Sequence, residues 1–202
     1  ADALRTYVLF MGDYGAAAPW NDSSVRGCKR FLERVAGLTD IMTDEPASKD
    51  MEVKIHKAIK KVSSDIEAMK FNTAIACLMT LINEIYAVGK ISKDDLVIFI
   101  KLLCPFAPHL CEEIWESIGG EGLLSLSQWP EYEESKTVEA SVEIGVQVNG
   151  KVRGTIVIPN GCAKEEALEI AKKDERVASF LEGKTLVKEI YVPNKIVNFV
   201  AK

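Results

Sequence analysis

Residues 142–158 read VEIGVQVNGKVRGTIVI, and this stretch decides the fold because the chain changes its pattern there. From Val142 to Val148, apolar residues alternate with polar or small ones, and such a period of two predicts a half-buried strand. The Asn149-Gly150 pair then favours a tight turn, since a type I′ turn needs positive φ at both positions. A second strand running to Ile158 completes a predicted β-hairpin.

The chain beyond this hairpin continues as a small mixed unit. A helical pattern covers about residues 163–182, and two further strand-like runs, about 186–192 and 196–201, flank a turn at Pro193-Asn194. We therefore expect a small domain over residues 138–202 with the order β-β-α-β-β.

The chain before the hairpin has a helical period. Apolar residues from Ile55 to Met69 recur at +4, +7, +11 and +14, which is typical of one face of a long amphipathic helix. Similar patterns separated by short loops predict neighbouring antiparallel helices. The predicted fold class is therefore α+β, with an antiparallel α-helical bundle over residues 1–119 followed by the small β-β-α-β-β domain.

A boundary between the two regions is expected over residues 120–137. This segment is acidic and contains Trp129-Pro130, so we interpret it as a linker. Charge also changes there: residues 1–136 hold 15 basic and 21 acidic side chains (15 − 21 = −6), whereas residues 137–202 hold 10 and 9 (10 − 9 = +1).

Composition narrows the class of protein. The net charge of −5 over 202 residues argues against a protein coated in positive charge for general polyanion binding, although a local basic patch remains compatible. The five cysteines include no C-x-x-C pair, which favours reduced thiols and no metal site. No secretory leader is recognisable and no apolar run approaches about 20 residues, so we expect a cytoplasmic protein without membrane association. We also expect these residues to be part of a longer chain.

Catalytic motifs are missing from the sequence. It contains no G-x-x-x-x-G-K-[ST] loop, no G-x-G-x-x-G loop, no nucleophile elbow and no H-E-x-x-H. We accordingly predict no catalytic residue and no cofactor in this chain.

One candidate binding surface is a basic stripe near the start of the chain. Arg26, Arg30 and Arg34 are spaced four residues apart on one predicted helix, with Lys29 beside them. Guanidinium groups suit phosphate because they donate paired hydrogen bonds, so the stripe is a candidate surface for binding phosphate groups. The alternative is an ordinary solvated helix face.

A second candidate lies at the hairpin. Lys151 and Arg153 follow the predicted turn two residues apart, and Lys195 would extend their patch if the two hairpin turns are neighbours. The alternative is that these cations only protect an edge strand from aggregation. Phe180 is interpreted as a core residue rather than as part of a binding surface.

Several motifs resemble one family, the bacterial leucyl-tRNA synthetases of class Ia. The resemblance is carried by DYGAAAPWNDSSVRGCKRFLERV from Asp13, PFAPHLCEEIW from Pro105, VQVNGKVRG from Val146 and YVPNKIVNFV from Tyr191. The second motif would also fit related synthetases, whereas the last two are similar to the C-terminal domain of the leucine enzymes. The similarity covers nearly the whole chain.

This resemblance implies that the chain is the tRNA-binding and positioning part of an enzyme that ligates leucine to tRNA(Leu). ATP and Mg would then be bound by the catalytic domain of the same chain, which lies outside these residues, and the protein would act as a monomer. Two alternatives stay open: a free-standing tRNA-binding protein derived from a synthetase, and a helical protein-interaction module.

Overall fold

A computed structural model describes residues 1–12, 20–138 and 141–202 of the chain. It divides into two compact units, Ala1–Val138 and Glu139–Lys202. Residues 13–19, which open the first of the family-like motifs, lie outside the described residues. The mixed fold class predicted from the sequence is confirmed.

The described part of the first unit is built from helices. The helices are α1 (Asp2–Phe10), α2 (Asp22–Ala36), α3 (Lys49–Glu67), α4 (Phe71–Val88), α5 (Lys93–Leu103) and α6 (Pro108–Ser117). The amphipathic seam predicted over residues 55–69 forms the buried face of α3 as far as Ile66, with Ile55, Ile59 and Val62 almost fully covered. Its extension to Met69 was wrong, because α3 ends at Glu67 and Met69, with a φ of 58°, is 61% exposed. The bundle core therefore forms where the apolar period placed it.

Helix α4 is the most apolar helix of the bundle. Its 18 residues would be long and apolar enough to cross a membrane on length and composition alone. The structure buries one face of it in the bundle core, through Ile75, Leu78, Ile82 and Ile85. Gly89, with a φ of 76°, ends this helix in the left-handed conformation, which glycine adopts without strain.

The start of α6 is held by a residue from the other end of the unit. The Oδ2 atom of Asp2 accepts a hydrogen bond of 2.8 Å from the backbone N–H of Leu110, and its Oδ1 lies 2.7 Å from Nδ1 of His109. Pro108 occupies the first turn of α6, where a missing N–H costs nothing. The PFAPH motif thus serves a structural purpose here.

Two short segments between the helices form a sheet that the sequence did not indicate. Strands β1 (Met42–Thr43) and β2 (Ile91–Ser92) pair in parallel. Each has two residues, too few for a period of two to be recognised in the sequence.

Residues 120–137, interpreted from the sequence as a linker, lie against the helices. Leu124 is 2% exposed, and the Glu112 side chain accepts hydrogen bonds from the backbone N–H groups of Leu124 and Ser125. Further along, the indole N–H of Trp129 donates to Ser63 Oγ at 2.8 Å. The structure therefore differs from the expectation, because a polar composition with one proline does not reveal tertiary contacts.

The second unit packs two helices on one face of a sheet. Strands β3 (Ser141–Val148) and β4 (Lys151–Pro159) precede helices α7 (Lys164–Lys173) and α8 (Glu175–Leu181), and strands β5 (Leu186–Val192) and β6 (Ile196–Ala201) follow. The strand order is β4-β3-β6-β5, with β3 and β6 parallel and the other neighbours antiparallel. This agrees with the predicted order of elements, with the helical part divided at Asp174.

The predicted turn also has a tertiary role. Asn149 and Gly150 both have positive φ, at 51° and 78°, as a type I′ turn requires. In addition, the Asn149 side chain donates to the carbonyl of Ala201 and accepts from its N–H, both at 2.9 Å. The turn therefore fixes the end of β6 as well as joining β3 to β4.

Candidate nucleic-acid interface

The basic stripe of the first unit lies on α2, as the spacing predicted. The helix begins after Asn21, whose side chain accepts hydrogen bonds from the N–H groups of Ser23 and Ser24. Its buried face, including Phe31 and Val35, packs into the core, so the basic residues are left on the exposed surface. Those exposed residues are Arg26, Lys29, Arg30 and Arg34.

The stripe residues differ in what they contact. Lys29 forms an ion pair of 3.6 Å with Glu33 on the same helix, an exposed pair of little energetic weight. Arg26 and Arg30 make no ion pair or hydrogen bond with other residues in the described part of the chain. Both therefore keep all their donors for an external anion.

Arg34 is positioned by α4. Its Nη1 donates to Asn83 Oδ1 at 2.7 Å, and its guanidinium lies 4.8 Å from the ring centroid of Tyr86. The Tyr86 hydroxyl in turn donates to the Arg34 carbonyl at 2.8 Å. These contacts hold one face of the guanidinium and reduce the entropy that Arg34 would lose on binding a ligand.

A groove of about 530 Å³ runs between α2 and α4. Its apolar floor is formed by Phe10, Cys28, Phe31 and Met79, and its polar rim by Ser24, Arg30, Arg34 and Asn83. Burial raises the pKa of the Cys28 thiol, so this side chain stays neutral and contributes only apolar surface. Among the described residues that line the groove, none is acidic.

Gly27 also lines this groove, in the middle of α2. A glycine inside a helix costs about 1 kcal/mol relative to alanine. A Cβ added at this position would meet nothing within 4 Å among the described atoms, so no packing contact explains the glycine.

In the second unit, Arg153 occupies an irregular position of β4. Val146 pairs with Gly154 and Gln147 with Val152, so Arg153 has no residue opposite it. Its guanidinium lies 4.2 Å from the ring centroid of Phe180 on α8. The sequence interpretation of Phe180 as a core residue was wrong, since it is 36% exposed and is covered by this guanidinium.

The expected addition of Lys195 to the Lys151 patch is not what the structure shows. Because β3 and β6 are parallel, Ile196 lies opposite Gly145, whereas Lys151 lies opposite Val148. Along the strand direction, Lys151 and Ile196 are thus offset by three residues, about 10 Å. Because β3 lies between β4 and β6, two strand spacings, about 10 Å, also separate them across the sheet. The two turns also point to opposite ends of the sheet, so Lys195 is separate from Lys151.

Sequence reasoning missed the residues that position the two anchored arginines. Asn83 and Tyr86 are 49 and 52 residues from Arg34, and no local pattern joins positions so far apart. Phe180 was noticed only as an aromatic residue. The contribution of all seven predicted site residues to binding stays a prediction.

Comparison with known proteins identifies one family. Residues 48–168 match the family model described as the anticodon-binding domain of tRNA ligase. The match covers α3 to α6 and extends into the second unit as far as α7.

Curated relatives match over the whole chain. The chain is 46% identical to a leucine–tRNA ligase of Alkaliphilus oremlandii and 44% identical to one of Chlorobaculum tepidum, covering 25% and 26% of those proteins. It therefore spans about a quarter of their length.

A solved structure is similar throughout. The chain is 32% identical to the LeuRS chain in the crystal structure of a ternary LeuRS–tRNA–LeuAMS complex from Agrobacterium radiobacter K84, with a TM-score of 0.78. The similarity covers all of this chain and 29% of that LeuRS chain.

Proposed function

The chain belongs to the family of anticodon-binding domains of tRNA ligases, and from this premise we propose that it binds and positions tRNA(Leu) for a leucine–tRNA ligase. The substrate assignment is supported by leucine–tRNA ligases that match over 100% of the chain. The observation that carries the proposal is the α2 surface, where Arg26 and Arg30 have free donors and Arg34 is fixed by α4.

The physical basis is the phosphate backbone of RNA. Exposed guanidinium groups bind phosphate oxygens through paired hydrogen bonds and release condensed counterions when they do so. A chain with a net charge of −5 has no general attraction to RNA, so binding must depend on local surfaces such as this one. The proposal also includes Lys29 and, in the second unit, Lys151, Arg153 and Lys195.

The chemistry of the ligase belongs, in this proposal, to the other three quarters of the relatives' length. The sequence has no glycine-rich phosphate loop, and its described residues include no group of three His, Cys, Asp or Glu side chains arranged to hold a metal ion. These residues do not fit an ATP–Mg site, so no reaction step is derived for them. We propose that the ligase acts as a monomer in the cytoplasm and that this chain alone does not activate leucine.

The test combines binding and activity measurements. The purified chain should bind a tRNA(Leu) transcript with a salt-dependent affinity, and Arg30→Ala should lower the slope of log K against log salt by about 0.7–0.9 per lost phosphate contact. Glu33→Gln serves as a control on the same helix and should not weaken binding. Leucine-dependent ATP–pyrophosphate exchange by the chain should stay at background.

Two results would contradict the proposal. If wild-type and Arg30→Ala chains bind with equal affinity and equal slope, the stripe is only a solvated helix face. If the isolated chain exchanges pyrophosphate above background, the division of labour proposed for the ligase is wrong.

A further inference from the structure

We propose that the groove between α2 and α4 receives a single unpaired nucleotide of the bound tRNA, with its base on the apolar floor and its phosphate at Arg30 and Arg34. This inference rests on the proposed function, and it adds a shape-specific contact to what would otherwise be attraction between charges. Three independent features of the groove support it.

The first feature is the combination of an apolar floor with a cationic rim. The floor includes Phe10, Phe31 and Met79, and the rim places Arg30 and Arg34 one helical turn apart on the same side. A base is flat and apolar on its faces, whereas its phosphate is anionic, so a nucleotide matches both parts of this surface. An anion without a base would make no favourable contact with the apolar floor.

The second feature is the absence of competing charge. None of the described residues lining the groove is acidic, and the Cys28 thiol on the floor stays neutral because burial raises its pKa. Arg34 is held in place by Asn83, which leaves its remaining donors available at the rim. A phosphate therefore meets two cations there, one of which is already positioned.

The third feature is Gly27. The glycines differ in what an added Cβ would meet: at Gly154 it would lie 3.1 Å from Val177 and 3.2 Å from Asp174, whereas at Gly145 in β3 it would meet no described atom within 4 Å. At Gly27, an added Cβ would meet no described atom within 4 Å, although glycine is unfavourable inside a helix. A close approach of a ligand to the α2 backbone supplies the missing reason for this glycine.

The groove is large enough for this ligand. Its volume of about 530 Å³ lies within the range of small-molecule sites, about 300–1,000 Å³. It is a cleft at the surface, so a nucleotide can enter it while still attached to its neighbours. Base-paired RNA cannot use it in the same way, because its bases are stacked inside the duplex.

Gly27→Leu is the decisive variant because it fills the groove without changing any charge. We expect it to weaken binding of a tRNA(Leu) transcript about tenfold, within the range for loss of one stacked base. The salt slope should stay the same, since Arg30 and Arg34 remain. Gly27→Ala makes a similar gain in helix propensity but adds only one methyl group against the α2 backbone, so it should weaken binding less than Gly27→Leu does.

A second RNA separates insertion from general attraction. Binding of a blunt RNA duplex made of two fully complementary strands should be equally weak for wild type and Gly27→Leu, because it has no unpaired nucleotide to insert. Circular dichroism melting should show that Gly27→Leu is at least as stable as wild type, so that loss of binding does not reflect unfolding.

Each remaining outcome overturns the inference in a distinguishable way. If Arg30→Ala lowers the salt slope while Gly27→Leu binds tRNA as wild type does, phosphates cross the rim and nothing enters the groove, so the proposed function survives alone. If no variant affects binding, both fail. If Gly27→Leu in a full-length ligase abolishes leucine-dependent ATP–pyrophosphate exchange without tRNA, the groove holds protein rather than RNA.

Discussion

The two units present their cations in different ways. On α2, the basic residues follow one another at helical spacing, and a neighbouring helix fixes Arg34 through Asn83 and Tyr86. In the second unit, Arg153 is drawn over Phe180, while Lys151 and Lys195 stand at turns that point in opposite directions. A helix keeps residues four apart together whatever surrounds it, whereas a sheet brings residues together only through its strand order and register.

The hydrophobic cores of the two units also differ. The helical unit packs one face of α4 against other helices, so its core is shared by several elements. The second unit buries one face of its sheet under α7 and α8 and leaves side chains such as Val152 and Val157 more than half exposed on the sheet. Each unit therefore has its own core, and the difference can be tested by damaging one core at a time.

The largest effect is expected from removing a buried ring in either core. Phe106→Ala and Phe199→Ala should each lower the free energy of unfolding by about 3–5 kcal/mol, because both rings are fully buried. All tryptophans, Trp20, Trp115 and Trp129, lie in the first unit. In guanidinium titrations, Phe106→Ala should shift the transition seen by tryptophan fluorescence, and Phe199→Ala should shift only part of the circular dichroism transition.

One result would contradict the view that the two units unfold independently. If Phe199→Ala shifts the tryptophan transition as far as Phe106→Ala does, the two units unfold as one and their cores cannot be considered separately.

A smaller effect is expected at the hairpin turn. Asn149→Ala should cost about 2–4 kcal/mol, because alanine is strained at positive φ and both hydrogen bonds to Ala201 are lost. Asn149→Gly relieves the strain and should cost about 1–3 kcal/mol, measured by the circular dichroism transition. Asn194→Gly is the matched control at the other turn, where φ is 56° and the side-chain hydrogen bonds are exposed, so its cost should be smaller. Equal stability of Asn149→Gly and wild type would show that the bonds to Ala201 contribute nothing.

The smallest effect is expected in the coupling between the two turns. Lys151→Ala and Lys195→Ala should affect tRNA binding independently, so their double-mutant coupling energy should stay below about 0.5 kcal/mol. The reason is the parallel pairing of β3 with β6, which separates the two lysines. A coupling energy above about 1 kcal/mol in a binding titration would mean that one RNA contact spans both turns. The lysines of the second unit would then act together, as the basic residues of α2 are expected to do.

Local patterns in the sequence determined most of the elements. A period near 3.6 predicted the buried face of α3, a period of two predicted β3, and Asn149-Gly150 predicted positive φ at both turn positions. The spacing of Arg26, Arg30 and Arg34 likewise predicted an exposed stripe on α2. These features depend on neighbours within a few residues, so the sequence alone suffices for them.

Only the tertiary structure decided which distant residues meet. The parallel register of β3 with β6 separates Lys195 from Lys151, and packing of α2 on α4 creates the groove with Asn83 at its rim. It also placed residues 124–129, which had been interpreted as linker, against the helices. The physical reason is that strand register, helix packing and close contacts of a loop are set by burial of apolar surface across the whole unit, and no short stretch of sequence contains that information.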